Sequence, residues 1–98
     1  MRVAFSSLLA EGRPFLGTFI QSAAPEFVEA AGYAGFRFAA VDLEHTYYGP
    51  EKTAEMVRAG EAADLCVLAR VPALDAVWIK KCLDMGPSGV NVPNVDTA

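Results

Sequence analysis

Ionisable side chains suited to acid–base and anion-binding chemistry follow two of the apolar runs in this chain. His45, the only histidine, comes directly after Asp42 and Glu44, and Arg70 lies near the end of the next apolar run. A neutral imidazole is a competent general base near neutral pH. A guanidinium offers a rigid fork of donors to a carboxylate or an enolate oxygen. Together these groups suit an α-keto acid whose methyl group is deprotonated or whose aldol bond is cleaved.

The negative charge that develops in such a reaction calls for a metal ion or a Schiff base. The lysines of the chain are Lys52, Lys80 and Lys81, and all of them fall in segments with helical patterning. Because working residues of βα proteins gather where strands end, the positions of these lysines argue against a Schiff base within this segment.

Four short apolar runs recur along the chain and predict strands: Leu16–Ile20, Phe36–Leu43, Leu65–Val71 and Gly89–Val92. The middle two are nearly continuous, which is typical of parallel strands covered on both faces. Segments between the runs carry helical punctuation, and the predicted helices cover about Ser6–Glu11, Pro25–Gly32, Pro50–Ala63 and Asp75 to just before Gly86. In the second helix Pro25 stands early and Gly32 late, with Ala24, Phe27, Ala30 and Ala31 on one face.

Alternating strands and helices indicate right-handed βαβ units, in either a TIM barrel or a doubly wound sheet. The segment after the first strand lacks the GxGxxG fingerprint of dinucleotide-binding sheets, and the chain has no Walker A motif. The pattern therefore favours an α/β (β/α)8 barrel, which has about 250 residues. The 98 residues are predicted to be one partial domain, 1–98, an N-terminal helix plus the barrel up to its fourth strand.

Composition excludes several classes of protein. Hydrophobic residues make up 53% of the chain and the net charge is −4, which argues against disorder. The basic residues are scattered, so nucleic acid and anionic membrane are poor partners. We find no signal peptide and no apolar run of membrane-spanning length. Cys66 and Cys82 lie in apolar runs and are predicted to be buried, reduced thiols, which favours a cytoplasmic location.

Several motifs, in order, resemble those of the HpcH/HpaI family of metal-dependent, pyruvate-forming aldolases. They are VDLEH at residues 41–45, LARVP at residues 68–72, IKKCLDMG at residues 79–86 and GVNVPNV at residues 89–95. The resemblance extends over essentially all of the chain. Two departures are Pro87-Ser88 before the fourth strand and Tyr47-Tyr48 after His45, and the second puts substrate preference in doubt.

The resemblance implies a class II aldolase that reversibly cleaves a 2-keto-3-deoxy or 4-hydroxy-2-oxo acid to pyruvate and an aldehyde. It assigns His45 as catalytic base, Asp84 as the residue that orients it, and Arg70 as the group that binds the enolate oxygen. Asp42 and Glu44 are expected to contact substrate. The family uses a divalent Mg, Mn or Co ion whose ligands come from later strands, so no metal ligand is expected in this chain. Homo-oligomers, commonly hexamers, are also implied.

Structural alternatives exist for the same residues. Arg70 could form a rim ion pair with Asp42 or Glu44, and Asp84 could pair with Lys80 along a helix face. For the chain as a whole, one alternative is a non-catalytic half-barrel that assembles with another chain through its open strand edges. The other is a CoA-thioester lyase of the related citrate lyase branch, against which the lack of a basic cluster counts mildly.

Overall fold

A computed structural model describes residues 4–22, 24–43, 50–71, 77, 79–80, 86–87 and 89–91 of the chain. Within them lies a four-stranded parallel sheet, whose strands are β1 (Gly17–Ile20), β2 (Phe38–Asp42), β3 (Cys66–Arg70) and β4 (Gly89–Asn91). The helices are α1 (Phe5–Ala10), α2 (Pro25–Tyr33) and α3 (Pro50–Ala62). Val77, Ile79 and Lys80 are also helical, where the sequence predicts a helix.

The strands follow one another across the sheet in chain order, β1-β2-β3-β4. A doubly wound sheet reverses its strand order at a switch point, whereas a barrel adds each strand beside the previous one. No reversal occurs among the described strands, so the sheet has the order of consecutive barrel strands. The predicted α/β class and the four predicted strands are confirmed.

Helices α2 and α3 cover one face of the sheet and form the apolar core with it. The side chains of β1, β2 and β3 that enter this core alternate with those that do not, as the period of two in a strand requires. The core consists of Ile20, Val28, Ala31, Ala39, Val41, Met56, Val57, Ala59, Leu65 and Val67. Burial of these side chains is what holds the two helices against the sheet.

The face of α2 that Phe27, Ala30 and Ala31 share is buried only in part. Phe27 and Ala30 are exposed, and Val28 and Ala31 are the buried side chains of this helix. The rotation of α2 is set by its contact with the end of α3, where a Cβ at Gly32 would lie 2.7 Å from the Cβ of Ala63. Only a glycine allows the two helices to approach this closely, so tertiary packing selects the buried face.

Gly32 is also not the residue that terminates α2, although the sequence predicts it to be. The helix continues to Tyr33, and Gly35 adopts the left-handed conformation at φ 101° that ends it. The amide of Phe36 then donates to the carbonyl oxygen of Ala31 at 3.1 Å. This bond satisfies a carbonyl that the helix would otherwise leave unpaired.

Aromatic side chains anchor α1 to the amino-terminal end of the sheet. Phe5 of α1, Phe15 before β1 and Phe38 at the start of β2 pack edge to face, with ring centroids 5.6 to 5.9 Å apart. Gly17 makes room for them, because a Cβ at this position would overlap the ring of Phe38. Leu8 of α1 is only 1% exposed. The face of the sheet opposite α2 and α3 is called the inner face, and its amino-terminal end is therefore filled by apolar groups.

Other expectations about the interior can be compared with the described residues. Cys66 is buried and is not part of a disulfide, as predicted, and Cys82 lies outside those residues. No helix in the described ranges combines the length and the apolar character that crossing a bilayer requires.

An ion pair joins the end of α1 to the start of β2. The guanidinium of Arg37 donates to both carboxylate oxygens of Glu11, at 2.8 and 3.3 Å, and Arg13 donates to the same carboxylate at 3.1 Å. These hydrogen bonds, that of Arg37 first, lower the pKa of Glu11 below the ordinary value of 4.5. The bridge links the loop before β1 to the neighbouring strand.

Glu11→Gln is expected to destabilise the protein in a pH-dependent way. A carboxylate with a lowered folded-state pKa stabilises the fold above its unfolded-state pKa, and this contribution is lost as the pH falls through the folded-state value. The variant should therefore unfold at lower urea concentration than wild type at neutral pH, and the difference should shrink as the pH falls below 4.5. Urea titrations over this range measure it.

Glu55→Gln is the control for the loss of one negative charge, because Glu55 pairs with Lys52 within α3 and does not connect separate elements. A constant difference between wild type and Glu11→Gln at all pH values would contradict the assignment.

Candidate active site at the carboxyl edge of the sheet

Polar residues occupy equivalent positions where the strands of the sheet end. Asp42 of β2 is in register with Arg70 of β3, and Arg70 is in register with Asn91 of β4. Gln21 follows β1, whose last residue, Ile20, is in register with Val41. Four adjacent strands thus carry a polar residue type at the same level. Because the strands are parallel, this level is the carboxyl edge of the sheet, where α/β proteins bind ligands.

The level below is apolar or small in every strand. Phe19, Ala40, Leu68 and Gly89 are in register with one another across the sheet. In β1, β2 and β3 they precede Gln21, Asp42 and Arg70 by two positions, so in these strands both levels lie on the face opposite the helices. The inner face therefore changes from aromatic and aliphatic to polar at the carboxyl edge, and a polar ligand would be held there above an apolar floor.

Asp42 is a buried carboxylate with a hydrogen-bond partner on the neighbouring strand. It is completely inaccessible to solvent, and the Nε2 amide of Gln21 donates to its Oδ2 at 3.3 Å. Burial of a carboxylate is costly unless donors surround it. In the described part of the chain no buried side-chain nitrogen or oxygen lacks a hydrogen-bond partner. Asp42 is therefore a fixed acceptor rather than a mobile surface charge.

Arg70 extends across the sheet toward β1. Its guanidinium carbon lies 5.5 Å from the centroid of the Phe19 ring, with the charged group over the ring face. This distance is within the range of a cation–π interaction. β2 lies between the two residues and contributes only Ala40 at the level of Phe19, so the long side chain can pass above it.

The described residues bring together two of the five predicted site residues, Asp42 and Arg70. Glu44, His45 and Asp84 lie outside the residues that the structure describes, and their roles stay predictions. Gln21, which follows β1, donates a hydrogen bond to Asp42. The contact of Phe19 with Arg70 was not predicted. Part of it could have been inferred from residues 16–21 (LGTFIQ), because side chains alternate along a strand and Phe19 and Gln21 therefore lie on the same face.

Divalent cations are bound in proteins by several carboxylate, imidazole or thiolate side chains. Within the described ranges no group of three or more His, Cys, Asp or Glu side chains is arranged to hold a metal ion. At the carboxyl edge Asp42 is the carboxylate present, and the guanidinium of Arg70 cannot be a ligand because it has no acceptor. The described residues by themselves do not fit a metal centre.

The arrangement is suited to binding an anionic oxygen compound. Arg70 supplies the positive charge and a planar fork of donors, and the exposed carboxamide of Gln21 is held in place by its hydrogen bond to the buried Asp42. A parallel sheet with sequential strand order, helices on its outer face and polar residues at the carboxyl edge is the arrangement of consecutive strands in an α/β barrel.

Comparison with known proteins then gives the family. The sequence profile of the HpcH/HpaI aldolase/citrate lyase family matches residues 16–98. The chain belongs to this family, as the motifs around Asp42, Arg70 and Gly86 predicted.

Relatives and solved structures agree with this membership. The chain is 37% identical to a 2-dehydro-3,6-dideoxy-6-sulfogluconate aldolase of Pseudomonas putida, over 85% of the chain and 32% of the relative. It is 36% identical to a 4-hydroxy-2-oxovalerate aldolase of Novosphingobium aromaticivorans, over 97% of the chain and 37% of the relative. An HpcH/HpaI aldolase of Desulfitobacterium hafniense superposes with a TM-score of 0.88 at 27% identity, covering 96% of the chain and 37% of that structure. The chain thus spans about a third of the length of the relatives it matches.

Proposed function

We propose that the protein is a class II aldolase that cleaves a 2-keto-3-deoxy or 4-hydroxy-2-oxo acid to pyruvate and an aldehyde, and that this chain forms the first strands of its (β/α)8 barrel. The observation that carries the proposal is the position of Arg70 beside Asp42 at the carboxyl edge of sequential parallel strands. Membership of a family with pyruvate-forming aldolases supports it.

The substrate class follows from the charge of the site. A 2-oxo acid presents a carboxylate and a carbonyl oxygen on adjacent carbons, and a guanidinium can donate to such a pair in one plane. As the carbon–carbon bond breaks, negative charge moves onto the carbonyl oxygen. Arg70 then stabilises the enolate more than the substrate, which is the condition for catalysis.

The remaining proposed roles concern proton transfer and contact with the bound acid. His45, directly or through a water molecule, takes the proton of the C4 hydroxyl while the C3–C4 bond breaks and its electron pair passes to the pyruvyl group. The aldehyde leaves, and the terminal carbon of the pyruvate enolate takes up the proton that His45 removed, which returns His45 to its neutral form. Asp84 accepts the other imidazole N–H of His45 and so fixes the tautomer that can act as base. Asp42 and Glu44 contact the bound acid.

A divalent ion is part of the proposal and would polarise the carbonyl as a Lewis acid. Its ligands are proposed to come from strands of the barrel that follow the four in this chain. Arg70, Asp42 and the predicted residues His45 and Asp84 would act on the substrate and its protons. A homo-oligomer, hexameric by family resemblance, stays a prediction.

The test is release of pyruvate from 4-hydroxy-2-oxo acids, coupled to lactate dehydrogenase. Activity should disappear after dialysis against a chelator, and Mg, Mn or Co ions should restore it. A non-metal control is dialysis against buffer alone.

Three results would contradict the proposal. Full activity without any divalent ion would exclude the class II mechanism. Cleavage of a hydroxyacyl-CoA thioester in place of the free acids would assign the protein to the lyase branch. Self-association without turnover of either substrate class would favour the assembly module.

A further inference from the structure

The guanidinium of Arg70 is held by an aromatic ring that no sequence motif singles out. Its carbon lies over the Phe19 ring at 5.5 Å from the centroid. Phe19 is on β1 and Arg70 is on β3, with the whole of β2 between them. A contact over that span requires the arginine side chain to lie along the inner face of the sheet rather than extend away from its edge.

The sequence of β2 makes this conformation possible. Adjacent strands lie about 4.8 Å apart, and Arg70 lies two residues beyond Leu68, the β3 residue at the level of Phe19. The arginine side chain must therefore span two strand spacings and also extend back along the sheet. Ala40 is the β2 residue in register with Phe19, and its methyl group leaves the space between them open. A larger side chain at this position would block the path of the arginine.

The ring is available to the arginine because of its position in the sheet. Phe19 is 54% exposed and does not enter the core on the helix side, which takes Ile20 from the same strand. Its ring lies on the inner face of the sheet, where it meets the guanidinium of Arg70.

We propose that Phe19 is a positioning residue, which holds the Arg70 guanidinium on the inner face of the sheet next to the Asp42–Gln21 pair. The attraction between the ring and the guanidinium holds the charged group over β2 and close to β1, the strand that precedes Gln21. Confining the arginine side chain before substrate binds lowers the entropy lost in the complex. The catalytic consequence rests on the proposed function, whereas the contact itself does not.

Kinetics and one spectroscopic signature test the proposal. Phe19→Leu should lower kcat/KM for pyruvate release about two- to five-fold, the value of a cation–π contact at an exposed site. Phe19→Trp and Phe19→Tyr keep an aromatic face and should retain activity. Phe27→Leu is the matched control, because Phe27 is 56% exposed and lies on α2; it should behave as wild type.

A double-mutant comparison separates positioning from packing. In an Arg70→Lys background Phe19→Leu should cost less than it does in wild type, because the planar group that the ring holds is gone. An equal loss in both backgrounds would mean that Phe19 acts through packing, and would overturn the proposal. So would wild-type kinetics in Phe19→Leu.

The spectroscopic signature needs no turnover. Nuclei above an aromatic ring resonate upfield, so the Arg70 side-chain Nε–H signal should lie upfield in wild type. It should move toward the other arginine signals in Phe19→Leu and stay in place in Phe27→Leu. An unchanged Arg70 signal in Phe19→Leu would overturn the contact. A shifted signal in a protein that releases no pyruvate would leave the positioning contact established and refute the proposed function instead.

Discussion

Arg70→Lys is expected to lower kcat for pyruvate release about 100- to 1,000-fold, the usual cost of removing one donor from a developing oxyanion. Lysine keeps the charge but presents a compact ammonium in place of a planar fork, so it cannot donate to two oxygens in one plane. The ammonium would also lose the flat stacking surface that the guanidinium presents to Phe19. Steady-state kinetics with a 4-hydroxy-2-oxo acid measure the effect.

The distribution of the loss between kcat and KM identifies the role of Arg70. A rise in KM with unchanged kcat would mean that Arg70 binds substrate and transition state equally well. A loss mainly in kcat is the expected result, because the enolate oxygen carries more charge than the ketone. Arg58→Lys, on the exposed side of α3, is the control and should keep wild-type values. Activity of Arg70→Lys within about two-fold of wild type would remove Arg70 from the mechanism.

His45→Ala is expected to lower kcat by about 100- to 10,000-fold, the contribution of a positioned general base. Without the imidazole, the proton of the C4 hydroxyl has no acceptor as the bond breaks. The same kinetic assay measures the loss. His45 is the only histidine of the chain, so the variant chain contains no other imidazole.

Chemical rescue distinguishes a base from a residue needed for folding. Added imidazole should restore part of the activity of His45→Ala, because a free base can enter the space that the side chain vacates. The same addition should leave Arg70→Lys unchanged. Wild-type rates in His45→Ala would refute the assignment of the base, and so would the absence of rescue in a variant that melts at the wild-type temperature.

Local patterns in the sequence were sufficient for the order of elements. Nearly continuous apolar runs such as Phe36–Leu43 and Leu65–Val71 predicted parallel strands, and β2 and β3 fall inside them. These signals are local, because a strand buried on both faces needs apolar residues at consecutive positions. The ends of the elements were less well predicted. Gly32 was taken as the terminator of α2, and Gly35 has that role, since either glycine satisfies the same local rule.

The candidate site could also be predicted only in part. The polar residues at the strand ends could be predicted because chain order and parallel pairing place those ends at one edge, and Asp42 and Arg70 are found there in register. The direction of the Arg70 side chain could not be predicted from the sequence. It depends on Phe19, which is two strands away, and on the small size of Ala40 between them. A pattern within one segment carries no information about a contact across three strands.

The sequence by itself determined the α/β class, the four parallel strands, the family and the strand-end residues of the candidate site, because each is specified by residues close together in the chain. Only the tertiary structure decided which side of α2 is buried, since that follows from the contact of Gly32 with Ala63 of the next unit. It alone also decided that Gln21 bonds to Asp42 and that Phe19 holds Arg70. Such contacts join residues far apart in sequence, and the free energy that selects them comes from packing the whole sheet rather than from any one segment.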